Sequence, residues 1–273
     1  MNHNKLAVIG VGNMAKAIIN GILGSDMSIS EFILYDINRS QLASVQSINQ
    51  DKIFLVDSIS DAVRLADCVL ISVKPQNYPE VLKEISTVDG YKNKLYISIG
   101  AGISTKSVSD SLGGDIFVVR VLPNVPMLIG MGVSVICRNS EIAPEDFDFV
   151  KRVFSSAGSI IEIEESEMNR MIGVTSSAPA YVFKFIDAIY NGAIDQGISE
   201  EGLLDAICDM VIGSATMLKN GNDSPSELVS KVASKGGTTE KALQTLDKYS
   251  FSNAIKDAMK ACTARADELG ASK

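Results

Sequence analysis

Residues 5–23 read Lys5-Leu6-Ala7-Val8-Ile9-Gly10-Val11-Gly12-Asn13-Met14-Ala15-Lys16-Ala17-Ile18-Ile19-Asn20-Gly21-Ile22-Leu23, and their order decides the fold. Leu6 to Ile9 is a short unbroken apolar run, the pattern of a strand buried on both faces of a parallel sheet. Gly10-Val11-Gly12-Asn13-Met14-Ala15 follows without a gap, and Met14, Ile18, Ile19 and Ile22 then recur at helical spacing. The sequence is therefore strand, Gly-x-Gly-x-x-Ala turn, helix. In such a turn the first glycine permits the tight bend and the second lets a pyrophosphate approach the backbone. The small third residue packs helix against strand. A phosphate there meets free N–H groups and the positive end of the helix dipole. The stretch predicts a dinucleotide site.

Working outward, apolar runs alternate with helical stretches up to about residue 164. Phe32–Tyr35, Ile53–Val56, Cys68–Val73, Leu95–Ile99 and Ile116–Val121 read as strands. Arg39–Ile48, Ser58–Leu65, Pro79–Ile85 and Ser104–Leu112 read as the helices between them. This β-α rhythm predicts an α/β fold, a doubly wound parallel sheet. Gly132–Cys137 and Ser159–Ile163 flank a helix over Pro144–Phe154 and are expected to extend the sheet edge. After Glu167 the strand signal stops. Val182, Phe183, Ile186, Ile189 and Ala193, then Leu204, Ile207, Val211, Ala215 and Leu218, repeat at helical spacing. Helices over 225–232, 238–246 and 252–269 complete an all-helical half. The expected division is 1–165 and 166–273. Small residues such as Ala188, Gly192, Gly213, Ser214 and Ala261 allow close helix contacts, which suits a bundle shared with a second subunit.

The bulk numbers exclude several classes. Of 273 residues, 46% are hydrophobic and 21% charged, as in an ordinary globular protein. A formal charge of −8 with no basic cluster argues against a nucleic-acid partner. No apolar run approaches a membrane span. Met1-Asn2-His3-Asn4-Lys5 runs straight into the first strand, so no secretory leader and a cytoplasmic location are expected. Cys68, Cys137, Cys208 and Cys262 are far apart, with no metal-binding spacing, and read as free thiols. The only histidine is His3, in the N-terminal tail, so histidine-based catalysis and a histidine-held metal are not expected.

In a doubly wound sheet, ligands lie beyond the carboxyl ends of the strands. Beyond the second strand, Asp36 suits ribose hydroxyls, whereas Asn38, Arg39 and Ser40 suit a 2′-phosphate. The balance favours NADP, with NAD left open. Ser72-Val73-Lys74-Pro75 ends the fourth strand, with Lys74 held extended by the proline. It reads either as cofactor lining or as a strand stop. Gly100-Ala101-Gly102 ends the fifth with residues small enough to admit a ring. Asn124 is the one amide side chain in a stiff loop and reads as a turn-former or a polar contact. In the helical half, Ser176 to Tyr181 is a serine-rich helix start with Pro179 in its first turn. Ser234-Lys235-Gly236-Gly237-Thr238-Thr239 opens another helix, where free N–H groups and two hydroxyls suit a small carboxylate.

Together, Gly10-x-Gly12-x-Met14-Ala15, Val73-Lys74-Pro75, Arg120-x-x-Pro123-Asn124-x-Pro126, Pro179-Ala180-Tyr181-x-Phe183 and Gly236-Gly237-Thr238-Thr239 resemble pyrroline-5-carboxylate reductase. Order and spacing match over almost the whole chain. The resemblance implies a Rossmann domain followed by a helical substrate-binding and dimerisation domain. It implies NAD(P)H-dependent reduction of the cyclic imino acid 1-pyrroline-5-carboxylate to L-proline. It also implies a homodimer, or a larger homo-oligomer built from dimers. The cofactor would lie along Ile9, Gly10, Val11, Gly12, Asn13, Met14, Ala15, Asn38, Arg39, Ser72, Val73, Lys74, Pro75, Gly100, Ala101 and Gly102. Gly237, Thr238 and Thr239 would hold the substrate, with Asn222 nearby and Thr239 on the ring nitrogen. Three departures stand out. Lys235 replaces a proline, Ser176-Ser177-Ala178 replaces Ser-Gly-Ser-Gly or a close variant, and Leu122 replaces a methionine.

The missing histidine fits this chemistry. Reducing a ketone leaves an alkoxide that needs an acid. A cyclic imine can bind already protonated, so hydride addition yields a neutral amine. Two alternatives remain at this stage. One is a β-hydroxy acid dehydrogenase with Lys184 as its acid; the other is a non-catalytic relative that kept the fold.

Overall fold

The computed structural model describes residues 3–140 and 142–271. Strand residues alternate between two apolar layers, so the sheet needs helices on both sides. The strands are β1 (Lys5–Ile9), β2 (Glu31–Tyr35), β3 (Ile53–Leu55), β4 (Cys68–Ile71), β5 (Leu95–Ser98), β6 (Phe117–Leu122), β7 (Gly132–Arg138) and β8 (Gly158–Glu162). Their order in one sheet is β3-β2-β1-β4-β5-β6-β7-β8. Only β7 runs antiparallel to its neighbour β6; the other pairs are parallel. The two late strands do extend the edge, as expected.

The helices of this region are α1 (Asn13–Leu23), α2 (Arg39–Gln46), α3 (Ile59–Leu65), α4 (Tyr78–Ile85), α5 (Thr105–Ser111) and α6 (Pro144–Ser155). Leu6 and Val8 point into one layer with Ile18, Ile22, Leu42, Val45, Phe147 and Val150, which come from α1, α2 and α6. Ala7 and Ile9 point into the other with Val63, Tyr78, Leu82 and Val108, from α3, α4 and α5. Ser58 and Ser104 start α3 and α5 by accepting hydrogen bonds from Asp61 N–H and Ser107 N–H, each at 3.0 Å.

Beyond the sheet, α7 (Glu165–Met171) is a helix with too few apolar positions to show in the sequence pattern. A single π-helical turn over Ile172–Ser176 follows, closed by Ser177 N–H donating to Ile172 O at 2.8 Å. The chain continues as α8 (Ala178–Asp195), α9 (Leu203–Asn220), α10 (Pro225–Val232), α11 (Thr238–Lys248) and α12 (Phe251–Ala271). Packing divides the chain into two units, drawn elsewhere than the sequence boundary at 165. One joins the residues up to Pro179 with those from Met259 onward; the other is Ala180–Ala258. The first unit gains α7 and the end of α12 because Met168, Ile172 and Ala266 form an apolar cluster with Leu122, Val135 and Cys137.

In the second unit the helical stripes found in the sequence are mostly uncovered. Only Ala193 of α8 and Ile207 of α9 are buried, and α10 and α11 bury nothing. Phe183 is 58% exposed, Ile212 61% and Val232 67%. Stripes of this kind, left open over several helices, require a partner surface.

His3 is placed in the sequence as a tail residue, yet it is buried. Its Nε2 lies 2.7 Å from Asp146 Oδ1, and its ring packs on Phe149 at 4.6 Å between centroids. It ties the start of the chain to α6. Burial alone would raise the Asp146 carboxyl; its hydrogen bond with His3 is the first of several interactions that together outweigh burial and hold that group below its usual value.

Candidate active site

Because β1 lies between β2 and β4, the strand order reverses beside it, and the carboxyl ends of β2, β1, β4 and β5 stop side by side. That edge gathers every expected cofactor residue: Ile9 at the end of β1 and 10–15 after it, 38–39 after β2, 72–75 after β4 and 100–102 after β5. Gly10 has φ +89°, and a Cβ there would sit 2.7 Å from Ser72 O. Both facts require glycine, because β1 and β4 close together at this point: Ser72 N–H donates to Ile9 O at 2.8 Å. Gly12 differs. It is exposed, a Cβ there would meet nothing within 4 Å, and it starts α1 with no side chain capping the helix. Open space above uncapped N–H groups is the cradle a pyrophosphate needs. Ala15 is fully buried and serves helix–sheet packing, as expected.

Asp36 is committed to the backbone. Its Oδ2 accepts from Val11 N–H at 2.6 Å and its Oδ1 from Asn38 N–H at 2.7 Å. The carboxylate that the sequence left open as a ribose ligand also braces the glycine turn. Asn38 Oδ1 accepts from Ser40 N–H at 3.1 Å and caps α2. Arg39, the first residue of α2, is exposed, as is its ion-pair partner Asp57 at 2.5 Å. Lys74 is exposed and extended, with Ser72, Val73 and Pro75 half-buried.

The two glycines after β5 answer to protein neighbours. A Cβ on Gly100 would sit 2.8 Å from Ile103 and from the Tyr78 ring; one on Gly102, at φ +78°, would strike Ala266 O in α12. Tyr78, buried at the start of α4, gave no sequence signal. Its hydroxyl donates to Ile71 O at 2.9 Å, accepts from Gly100 N–H at 2.9 Å and lies 3.0 Å from Ser98 Oγ. Burial pushes this phenol up to about 12, against those hydrogen bonds, so it stays protonated. It fastens the end of β4 to the loop after β5.

Asn124 is a tie rather than a simple turn-former. Its Nδ2 donates to Thr175 O at 3.1 Å, and its Oδ1 accepts from Val133 N–H at 2.8 Å. Arg120 is likewise buried on β6. It donates to Asn169 Oδ1 at 2.5 Å and lies 3.5 Å from Glu165, which also accepts from Thr105 N–H at 2.7 Å. Burial lowers the Arg120 pKa and the Glu165 carboxylate opposes that shift. Within the altered serine run, Ser176 Oγ is buried with no hydrogen-bond partner, and Ser177 Oγ lies 3.1 Å from Cys262 Sγ.

In the second unit, Gly237 precedes α11 and, like Gly12, leaves the helix start without a side-chain cap. Gly236 has φ +76°; its N–H donates to Glu240 Oε2 at 2.8 Å, and Gly237 N–H donates to Ser234 O at 2.9 Å. Lys235 is exposed, and these two bonds hold the turn despite the loss of a proline. Thr238 is exposed and Thr239 half-buried in the first turn of α11, while Asn222 is exposed in the α9–α10 connection. Lys184 is exposed on α8.

Among the described residues there is no cluster of three or more metal-ligating side chains, and no helix is long and apolar enough to cross a membrane. The four cysteines are free. A cavity of about 660 Å³ opens at the opposite end of the strands, lined in part by His3, Asn4, Met27, Glu145, Phe149 and Arg152. It contains none of the candidate site residues.

Comparison with known proteins gives consistent matches. Residues 165–269 match the family described as pyrroline-5-carboxylate reductase dimerisation, and residues 5–102 match NADP oxidoreductase, coenzyme F420-dependent. The chain is 34% identical to pyrroline-5-carboxylate reductase of Vibrio alginolyticus, covering 98% of each chain. It is 32% identical to the Escherichia coli K12 enzyme of that name, covering 98% of this chain and 99% of the other. Among solved structures, pyrroline carboxylate reductase of Plasmodium falciparum with NADP bound superposes with a TM-score of 0.88 at 27% identity, covering 99% of each chain. The Streptococcus pyogenes reductase gives a TM-score of 0.88 at 26% identity, covering 97% of this chain and 98% of the other.

Proposed function

The chain belongs to the pyrroline-5-carboxylate reductase family, and from that premise we propose how its own residues carry the reaction. The activity is reduction of 1-pyrroline-5-carboxylate to L-proline with a nicotinamide cofactor, in a homo-oligomer. The observation that carries the cofactor site is the open, uncapped helix start at Gly12. The residues there fit a dinucleotide. The N–H groups of Asn13, Met14 and Ala15 receive the pyrophosphate, and Asp36 holds the turn through Val11 N–H. Ser72 to Pro75 and Gly100 to Gly102 line the remainder, with Tyr78 keeping the two loops in register.

NADPH is the favoured cofactor in this reading. Each Asp36 oxygen accepts from a backbone N–H that fixes the carboxylate against the turn, and Asn38, Arg39 and Ser40 stand at the head of α2 to meet a 2′-phosphate. When bound, the nicotinamide supplies the hydride.

The substrate half falls to the α11 start. The N–H groups of Gly237, Thr238 and Thr239 bind the carboxylate, and the Thr239 hydroxyl accepts the N–H of the protonated imine. Asn222 supports them from the α9–α10 connection. Held so, the ring nitrogen already carries its proton, and adding hydride at the neighbouring carbon leaves a neutral amine. No acid is required of the chain, whose only histidine is buried against Asp146. Catalysis then rests on orientation and fixed dipoles. Residues 1–165 serve as the dinucleotide domain and 166–273 as the substrate and dimerisation domain, with higher oligomers assembled from dimers. A reducing cytoplasm suits the four free cysteines.

Initial rates with pyrroline-5-carboxylate and each reduced nicotinamide test this reading. Thr239→Ala should raise KM or cut kcat about tenfold or more while leaving NADPH binding intact. Unaltered kinetics in that variant would remove Thr239 from the site.

A further inference from the structure

β2 and β3 are parallel, with Leu34 paired to Leu55, so their carboxyl ends stop side by side. Asp57 follows β3 and Arg39 follows β2 at the head of α2, which places the two side chains together: an Arg39 guanidinium N–H donates to Asp57 Oδ1 at 2.5 Å. The other acids nearby are otherwise engaged. Asp36 is held by Val11 and Asn38, and Asp61 by Ser58 and Arg64. Asp57, exposed on the surface, is therefore the carboxylate that answers Arg39.

A 2′-phosphate carries ~1.5–2 negative charges and several acceptor oxygens. To use Arg39 it must share or displace Asp57, and it then sits against a like charge. A cofactor with a free 2′-hydroxyl meets no such opposition. We propose that Asp57 is a specificity-determining residue of the cofactor site, restraining the preference for the 2′-phosphorylated cofactor that Arg39 confers. The inference rests on the reading of Asn38, Arg39 and Ser40 as the 2′-phosphate subsite.

The test compares wild type, Asp57→Asn and Arg39→Gln by steady-state kinetics with NADPH and NADH. It also measures binding of adenosine 2′,5′-bisphosphate and adenosine 5′-monophosphate by calorimetry. Asp57→Asn should raise the NADPH-to-NADH ratio of kcat/KM about two- to fivefold, the scale of one exposed charge pair, through KM for NADPH. It should tighten the bisphosphate by a similar factor, and the gain should shrink at high salt. An unchanged ratio in Asp57→Asn, with bisphosphate binding weakened in Arg39→Gln, overturns the role of Asp57 and leaves the subsite standing. Weaker NADPH binding in Asp57→Asn also overturns it, since Asp57 would then be aiming Arg39 at the phosphate. If Arg39→Gln leaves bisphosphate binding untouched, the subsite itself is wrong and the inference falls with it.

Discussion

Gly10 and Gly12 belong to one motif but answer to different forces. Gly10 is confined by protein: φ is +89° and Ser72 O would lie 2.7 Å from an added Cβ. Gly12 is confined by nothing in the chain, since its Cβ position is open. Gly10→Ala should therefore cost about 1–3 kcal/mol of stability, seen as a lower denaturation midpoint. Gly12→Ala should keep that midpoint and raise KM for NADPH about tenfold or more, because the methyl group would fill the open space proposed for the pyrophosphate. Two equal losses of stability would contradict this division. The sequence motif shows that both must be small without showing why. Asp36 carries the same lesson. Its position after β2 was legible, but its direction depends on Val11 N–H, a group 25 residues away.

At the scale of elements, strands and most helices were readable because their periods differ and their ends carry caps such as Ser58 and Ser104. What escaped was what joins them. Tyr78 looks like any aromatic at a helix start, yet its hydroxyl bonds Ile71 O and Gly100 N–H and so links two loops of the cofactor edge. Tyr78→Phe should leave Gly100 N–H unsatisfied, costing about 1–3 kcal/mol in thermal or urea unfolding. The same variant should raise KM for NADPH more than it changes kcat; a fall in kcat alone would place Tyr78 elsewhere in the mechanism. α7 and the π turn escaped for a related reason. Their partners lie far along the chain: Leu122, Val135 and Cys137 on β6 and β7, and Ala266 on α12, where Asn169 also donates to Asp267.

For the whole molecule, the second unit poses the clearest physical demand. The apolar stripes of α8 to α10 are exposed in a single chain, with Ile212 at 61% and Val232 at 67%. Membership of a family with a dimerisation domain supplies the partner, a second copy. Sedimentation should give at least a dimer. Ile212→Glu should shift it toward monomer or aggregate with loss of activity, whereas an unchanged oligomer would move the interface off α9. The sequence by itself determined the doubly wound sheet, the glycine turn after its first strand, the helical second half and, through the family resemblance, the chemistry. These depend on local period, glycine placement and motif order, all of which lie along the chain. Only the tertiary structure decided that Asp36 braces the turn, that Asp57 faces Arg39, that His3 is buried and that the helical stripes lie open. Each of those depends on groups brought together from distant positions, and no local pattern records which neighbour a side chain will meet.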